Sequence, residues 1–227
     1  MAQVSLPRRF NKGLLRPLER PALLWMAQRL PQWVTPNFLT GVGFAGAIIT
    51  AGAYAVSRWY PAFLWLASAG ILLNWFGDSL DGTIARVRQT ERPRYGFYLD
   101  QNLDAFEQFI MAVGIGLSGF IRFELAMFTA AAYFLVSILT LVRAVVSNVF
   151  SLTYAGIGAT ELRVAFLILN VLMYFIPPKP FAVFGLTLVY PEVLSVAWNV
   201  VIVVSFFTIL KSDLRTLAIE EAHPRDN

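Results

Sequence analysis

The chain has no cysteine. That excludes disulfides, thiolate metal sites, iron–sulfur clusters and cysteine nucleophiles. Histidine is almost missing as well: His223, beside Pro224 near the end of the sequence, is the single copy. It reads as tail, which leaves phosphohistidine intermediates and Ser-His-Asp triads without a residue to build on. Charge is also scarce. Asp, Glu, Lys and Arg make up 14% of the 227 residues, and hydrophobic residues 57%. A soluble domain carries about 25% charged residues. This chain has too little polar surface to cover a water-soluble body of its size, so the bilayer is the expected solvent. No internal repeat is evident, and no second, soluble domain.

What the chain does contain is long apolar runs. A bilayer core of about 30 Å needs roughly 20 apolar residues in a helix. Segments 38–57, 61–80, 98–121, 125–148, 162–185 and 192–210 meet that need. Pro177, Pro178 and Pro180 interrupt the fifth. The expected fold class is an all-α integral membrane protein: six transmembrane helices preceded by a short N-terminal interfacial amphipathic helix. Residues 1–36 form the interfacial segment, 37–212 the membrane domain and 213–227 a charged, solvated tail.

The N-terminal stretch has no early uninterrupted apolar run and so does not read as a signal peptide. Phe10, Leu14 and Leu18 recur every four residues, with Arg8, Arg9, Lys12, Arg16 and Arg20 among them. Pro17 and Pro21 are expected to break it into one or two short helices lying among headgroups. A disordered basic tail is the plainer alternative.

The net charge of +4 does not gather into a nucleic-acid patch. Its basic residues flank apolar runs, where anionic headgroups would meet them. No nucleic-acid partner is expected. An even number of spans puts both termini on one side. Fifteen of the 18 Lys and Arg residues fall there, leaving Arg58, Arg122 and Lys179 on the other. The positive-inside rule makes the richer side cytoplasmic, with the inner or plasma membrane as the expected location and the acidic site facing the cytoplasm.

The informative stretch runs from Asn74 to Glu107. Asp78 and Asp81 are three apart, and Asp100 and Asp104 four apart, so each pair shares a helix face. Arg86, Arg88, Arg92, Pro93 and Arg94 make a polar turn between them. The two helices can then run antiparallel with their carboxylates facing. Four carboxylates at a membrane boundary are costly without compensation. Divalent Mg²⁺ or Mn²⁺, two ions bridged by shared oxygens, would neutralise them and leave positions for phosphate. Gly82, Ala85 and Gly96 either pack helices closely or leave room for a flat ligand.

Asp78-x2-Asp81-Gly82-x2-Ala85-Arg86-x9-Gly96-x3-Asp100-x3-Asp104 resembles the signature of the CDP-alcohol phosphotransferases, with every fixed position occupied. Upstream, Thr35-Pro36-Asn37-Phe38-Leu39-Thr40 is similar to that family's entry to its first span. The resemblance covers residues 35–104 closely and the rest by span count. It implies an enzyme of phospholipid synthesis that moves a substituted phosphate from a CDP-linked donor, CDP-diacylglycerol foremost, to an alcohol, releasing CMP. It implies that Asp78, Asp81 and Asp100 bind one metal and Asp78, Asp100 and Asp104 a second. Asp104 would also be the catalytic base. Asn37, Thr40, Gly82, Ala85 and Arg86 would contact the CDP part, and the protein would be a homodimer.

The acceptor alcohol is less legible. Glu107 extends the acidic face by a turn; it could bind a polyol or an ammonium group, or pair with an intramembrane partner. Arg143, Asn148 and Arg163 are polar for their places. The two arginines could receive a phosphate on the acceptor, or Arg143 could simply snorkel. Gly158-Ala159-Thr160-Glu161 resembles a Gly-Pro-Thr-Glu pattern of the aminoalcohol branch but departs at Ala159. A CDP-aminoalcohol:diacylglycerol transferase is therefore the alternative enzyme. A cation transporter or a scaffold with an inactive site is the alternative of another class.

Overall fold

The computed structural model describes residues 8–10, 13–147, 149–151, 158–183 and 185–222. His223, Lys12 and Asn148 lie outside them. The elements in chain order are β1 (Arg8–Phe10), α1 (Arg16–Arg29), α2 (Pro36–Ser57), α3 (Phe63–Val87), α4 (Pro93–Leu117), α5 (Phe123–Ser147), β2 (Val149–Ser151), α6 (Ala159–Phe175), β3 (Phe181–Val183), β4 (Leu186–Leu188) and α7 (Tyr190–Ala222). The short strand β1 pairs in parallel with β2.

Each of the six apolar segments is centred on one of the helices α2 to α7. By length and composition, α2, α5 and α7 are able to cross a membrane. The others fall short for different reasons: α3 and α4 carry the acidic residues, and α6, though apolar, has 17 residues.

Two expectations need correction. Pro21 does not break the N-terminal helix, which runs through it from Arg16 to Arg29. It sits little more than one turn in, so it forfeits one intrahelical bond, while Pro17 occupies the first turn, where a missing N–H has no cost. The fifth segment stops being helical at Phe175, ten residues before its expected end. Pro177, Pro178 and Pro180 follow, and the chain turns instead into an antiparallel hairpin of β3 and β4. The charged tail continues α7 as far as Ala222, with most of its residues exposed.

Helix starts follow local chemistry. Thr35 caps α2, its hydroxyl accepting from the Phe38 N–H at 3.2 Å, with Pro36 in the first turn. Pro93 opens α4 in the same way. Between α3 and α4 the chain reverses through Gln89, whose φ is 55°.

Packing runs from α6 to α3, α2, α4, α5 and α7, with α1 laid on α3. The α2–α3 seam is the tightest. A methyl group added to Gly77 would strike the backbone of Leu39 and Gly43, and one on Gly46 or Gly70 would strike the facing helix. Gly114 brings α4 equally close to Ala51. Small residues thus allow three backbones to converge. Arg88 donates to the carbonyls of Leu30, Pro31, Gln32 and Val34 and so fixes the turn that leads into Thr35. One apolar cluster (Leu23, Ala27, Val34, Leu39, Leu80, Ile84) fills this end of the bundle. A second, including Tyr54, Leu64, Ile115 and Met173, fills the other.

Candidate active site

The N-terminal parts of α2 and α6 and the middle of α4 meet the C-terminal half of α3. Thr40, Gly43, Asp78, Asp81, Asp100, Leu103, Asp104 and Glu107 line a small cleft there. Antiparallel α3 and α4 bring their acidic faces together, as the three- and four-residue spacings require. One carboxylate oxygen from each of Asp78, Asp100 and Asp104 lies within 4.8 Å of the others. Hard oxygen donors at that separation fit a hard divalent cation such as Mg²⁺ or Mn²⁺.

Asp81 lines the same cleft but stands apart from this trio. Its Oδ2 accepts from the Thr40 hydroxyl at 2.6 Å, and its Oδ1 accepts from the Gly82 N–H. Thr40 is thereby bonded to a carboxylate. Asn37 is exposed, its amide 3.5 Å from the Tyr95 hydroxyl of α4. Gly82 faces the Arg86 guanidinium, and Gly96 has open space where a side chain would stand. Neither glycine serves helix contact. The close contacts belong to Gly43, Gly46, Gly70, Gly77 and Gly114 instead. Ala85 accepts from the Thr90 N–H at 2.9 Å as α3 ends, and exposed Arg86 donates to Thr83 at 3.1 Å.

Asn74, which sequence reasoning did not single out, is the hub. It lies one turn before Asp78 and is 2% exposed. Its amide donates to the Gly43 carbonyl at 3.1 Å and to Glu107 Oε2 at 2.7 Å. Its Oδ1 accepts from Arg163 Nε and Nη2 at 3.2 and 2.9 Å. Arg163 Nη2 also donates to Asp78 Oδ2 at 2.6 Å. The available signal was an asparagine inside an apolar run, four residues before an aspartate on the same face. Buried Glu107 thus has a buried polar partner in Asn74.

The remaining sequence candidates serve elsewhere. Arg143 pairs with Asp213 of α7 at 3.3 Å. Thr160 and Glu161 tie α6 to α1. Thr160 donates to Glu19, which also accepts from the Trp75 indole, and Glu161 accepts from the Leu15 and Gly158 N–H groups, each at 2.8 Å. Burial acts to raise the Glu161 pKa, but these and neighbouring backbone N–H groups outweigh it and hold the carboxyl below its ordinary value. The Gly-Ala-Thr-Glu stretch therefore has a local structural task.

Comparison with known proteins adds a family. The profile described as CDP-alcohol phosphatidyltransferase matches residues 33–210. Archaetidylinositol phosphate synthase of Pyrococcus horikoshii is 28% identical over 104 residues, 46% of this chain and 52% of that protein. Phosphatidylinositol phosphate synthase of Cutibacterium acnes is 33% identical over 84 residues, 37% of this chain and 38% of that protein. The matches thus span about half or less of each relative.

Proposed function

The chain belongs to the CDP-alcohol phosphatidyltransferase family, and from that premise we propose that it transfers a phosphatidyl-type group from CDP-diacylglycerol to a phosphorylated polyol, releasing CMP. The observation that carries this reading is the convergence of Asp78, Asp100 and Asp104 within 4.8 Å. The names of the two relatives favour inositol phosphate as the acceptor. The local task of the Gly-Ala-Thr-Glu stretch weakens the aminoalcohol alternative.

In this reading the acceptor hydroxyl oxygen forms a bond to the donor phosphorus attached to diacylglycerol. The bond from that phosphorus to the CMP oxygen breaks, and CMP leaves with the electron pair. Asp104 takes the hydroxyl proton. Asp78, Asp100 and Asp104 would hold the divalent ion, with Asp81 the fourth carboxylate of the cleft. Mg²⁺ or Mn²⁺, when bound there, offsets charge on the phosphate oxygens. Asn37, Thr40, Gly82, Ala85 and Arg86 border the donor, and open space at Gly96 suits a flat base. Glu107 and Arg163 would meet the acceptor, whereas Arg143 is engaged by Asp213 of α7.

Six membrane spans, both termini and the cleft on the cytoplasmic side, and a homodimer complete the proposal. Supporting the orientation, the site end of the bundle carries most of the basic residues, whereas Arg58 and Arg122 lie at the far end, where Arg122 pairs with Glu192.

The test is CMP release by the purified chain with CDP-diacylglycerol, Mn²⁺ and a panel of alcohols. Inositol phosphate should be preferred over inositol, serine and glycerol phosphate. Asp104→Asn should lower the rate by about 10³-fold with the fold intact. A fully active Asp104→Asn enzyme refutes the base assignment. CMP release with none of the alcohols refutes the transferase reading.

A further inference from the structure

Arg163 holds two groups at once. Its Nε and Nη2 bond Asn74 Oδ1, and Nη2 also bonds Asp78 Oδ2 at 2.6 Å. The pair is mostly shielded, with side chains 17% and 26% exposed. The arginine is delivered by a fixed element. It lies two residues beyond Glu161, and the first turn of α6 is moored to α1 through Thr160 and Glu161. Asp78 belongs to the trio able to hold a divalent ion. A carboxylate oxygen engaged by a guanidinium at 2.6 Å has fewer lone pairs and less negative potential to offer a metal.

We propose that Arg163 is a built-in counter-cation that competes with the divalent ion for Asp78. When the ion takes Asp78, the guanidinium gives up that carboxylate and keeps Asn74. The Asn74 bonds make this a pivot rather than a departure. Competition of this kind is reciprocal: whatever free energy Arg163 invests in Asp78 is subtracted from metal affinity. Arg163 thereby sets how tightly the site holds its metal and restrains Asp78 from repelling Asp100 and Asp104.

The inference rests on the metal reading of the cluster, and one titration separates the two. Mn²⁺ binding to the full chain in detergent would be followed by electron paramagnetic resonance after chelator treatment. Arg163→Gln should bind Mn²⁺ on the order of tenfold more tightly than the wild type. Arg163→Lys keeps the charge but cannot fork to Asn74 and Asp78 together, so its affinity should rise by about threefold. A residue needed only to hold the site in shape would change affinity in the opposite direction. Unchanged or weaker Mn²⁺ binding in a folded Arg163→Gln protein overturns the proposal. If that variant does not fold, the same result in Arg163→Lys overturns it. A wild type that takes up no Mn²⁺ overturns the metal reading and this inference with it.

Discussion

Of the three asparagines buried in helices among the described residues, Asn74, Asn170 and Asn199, the first and the last have opposite surroundings. Asn74 of α3 and Asn199 of α7 are 2% and 5% exposed. Asn74 connects α2, α4 and α6: Gly43, Glu107 and Arg163 all bond its amide. Asn199 stays within its own seam, donating to Thr129 of α5 and to the Ser195 carbonyl one turn back. Its Oδ1 has no hydrogen-bond partner among the described residues. The seams differ in the same way. Glycine backbones bring α2 and α3 into direct contact, whereas α7 leaves Val200, Val204 and Phe207 exposed. Close backbone approach occurs where side chains from four helices must reach one point. The α7 seam, by contrast, has no such glycine contacts among the described residues and turns apolar surface outward.

The comparison breaks most sharply at Asn74. Asn74→Leu would leave Glu107 without its donor and Arg163 without its anchor inside a shielded site. Misplacement of reacting groups by about 1 Å costs on the order of 10²-fold in rate. CMP release should therefore fall by about 10²-fold or more, and the melting temperature in detergent should drop. A variant with wild-type turnover would reduce Asn74 to a packing residue.

Next in size is Gly77→Ala. The added methyl group meets backbone atoms of Leu39 and Gly43, which have no side-chain freedom to yield. Overpacking of this kind costs about 1–3 kcal/mol, measured as loss of unfolding free energy. Gly82→Ala on the same helix meets only the end of the Arg86 side chain, 3.4 Å away. It should shift stability by about 0.5 kcal/mol or less. Equal losses in the two variants would remove the distinction between a glycine packed on backbone and one that faces only the end of a flexible side chain.

Much of this was legible in the sequence, for physical reasons. Charged residues cannot hide in lipid, so Asp78, Asp81, Asp100 and Asp104 announced themselves, and their spacing fixed a shared face on each helix. Apolar runs located α2 to α7 because each helix must bury or submerge its length. Ends were less legible. Pro21 lies within a helix because its position decides its cost, and the α6 prolines end the helix where hydrophobicity alone would carry it on. The glycine seam and the Asn74 hub depend on which residues oppose one another across helices, a relation that one sequence does not display. Arg163 was noticed as a polar outlier, but its bond to Asp78 arises from folding over a separation of 85 residues.

The smallest effect on activity belongs to Asn199→Leu. The substitution removes the bonds to Thr129 and Ser195, each contributing about 1 kcal/mol net. It also removes a buried oxygen that has no partner among the described residues and that carries a desolvation cost of about 1–3 kcal/mol. These contributions oppose each other, and leucine is close in volume. Unfolding free energy should move by about 1 kcal/mol or less in either direction, with CMP release unchanged. A loss as large as that of Asn74→Leu would mean that the α5–α7 seam carries a constraint its local bonds do not reveal. A gain in stability would mark Asn199 as a polar group retained at a net energetic cost, and would separate the two seams further.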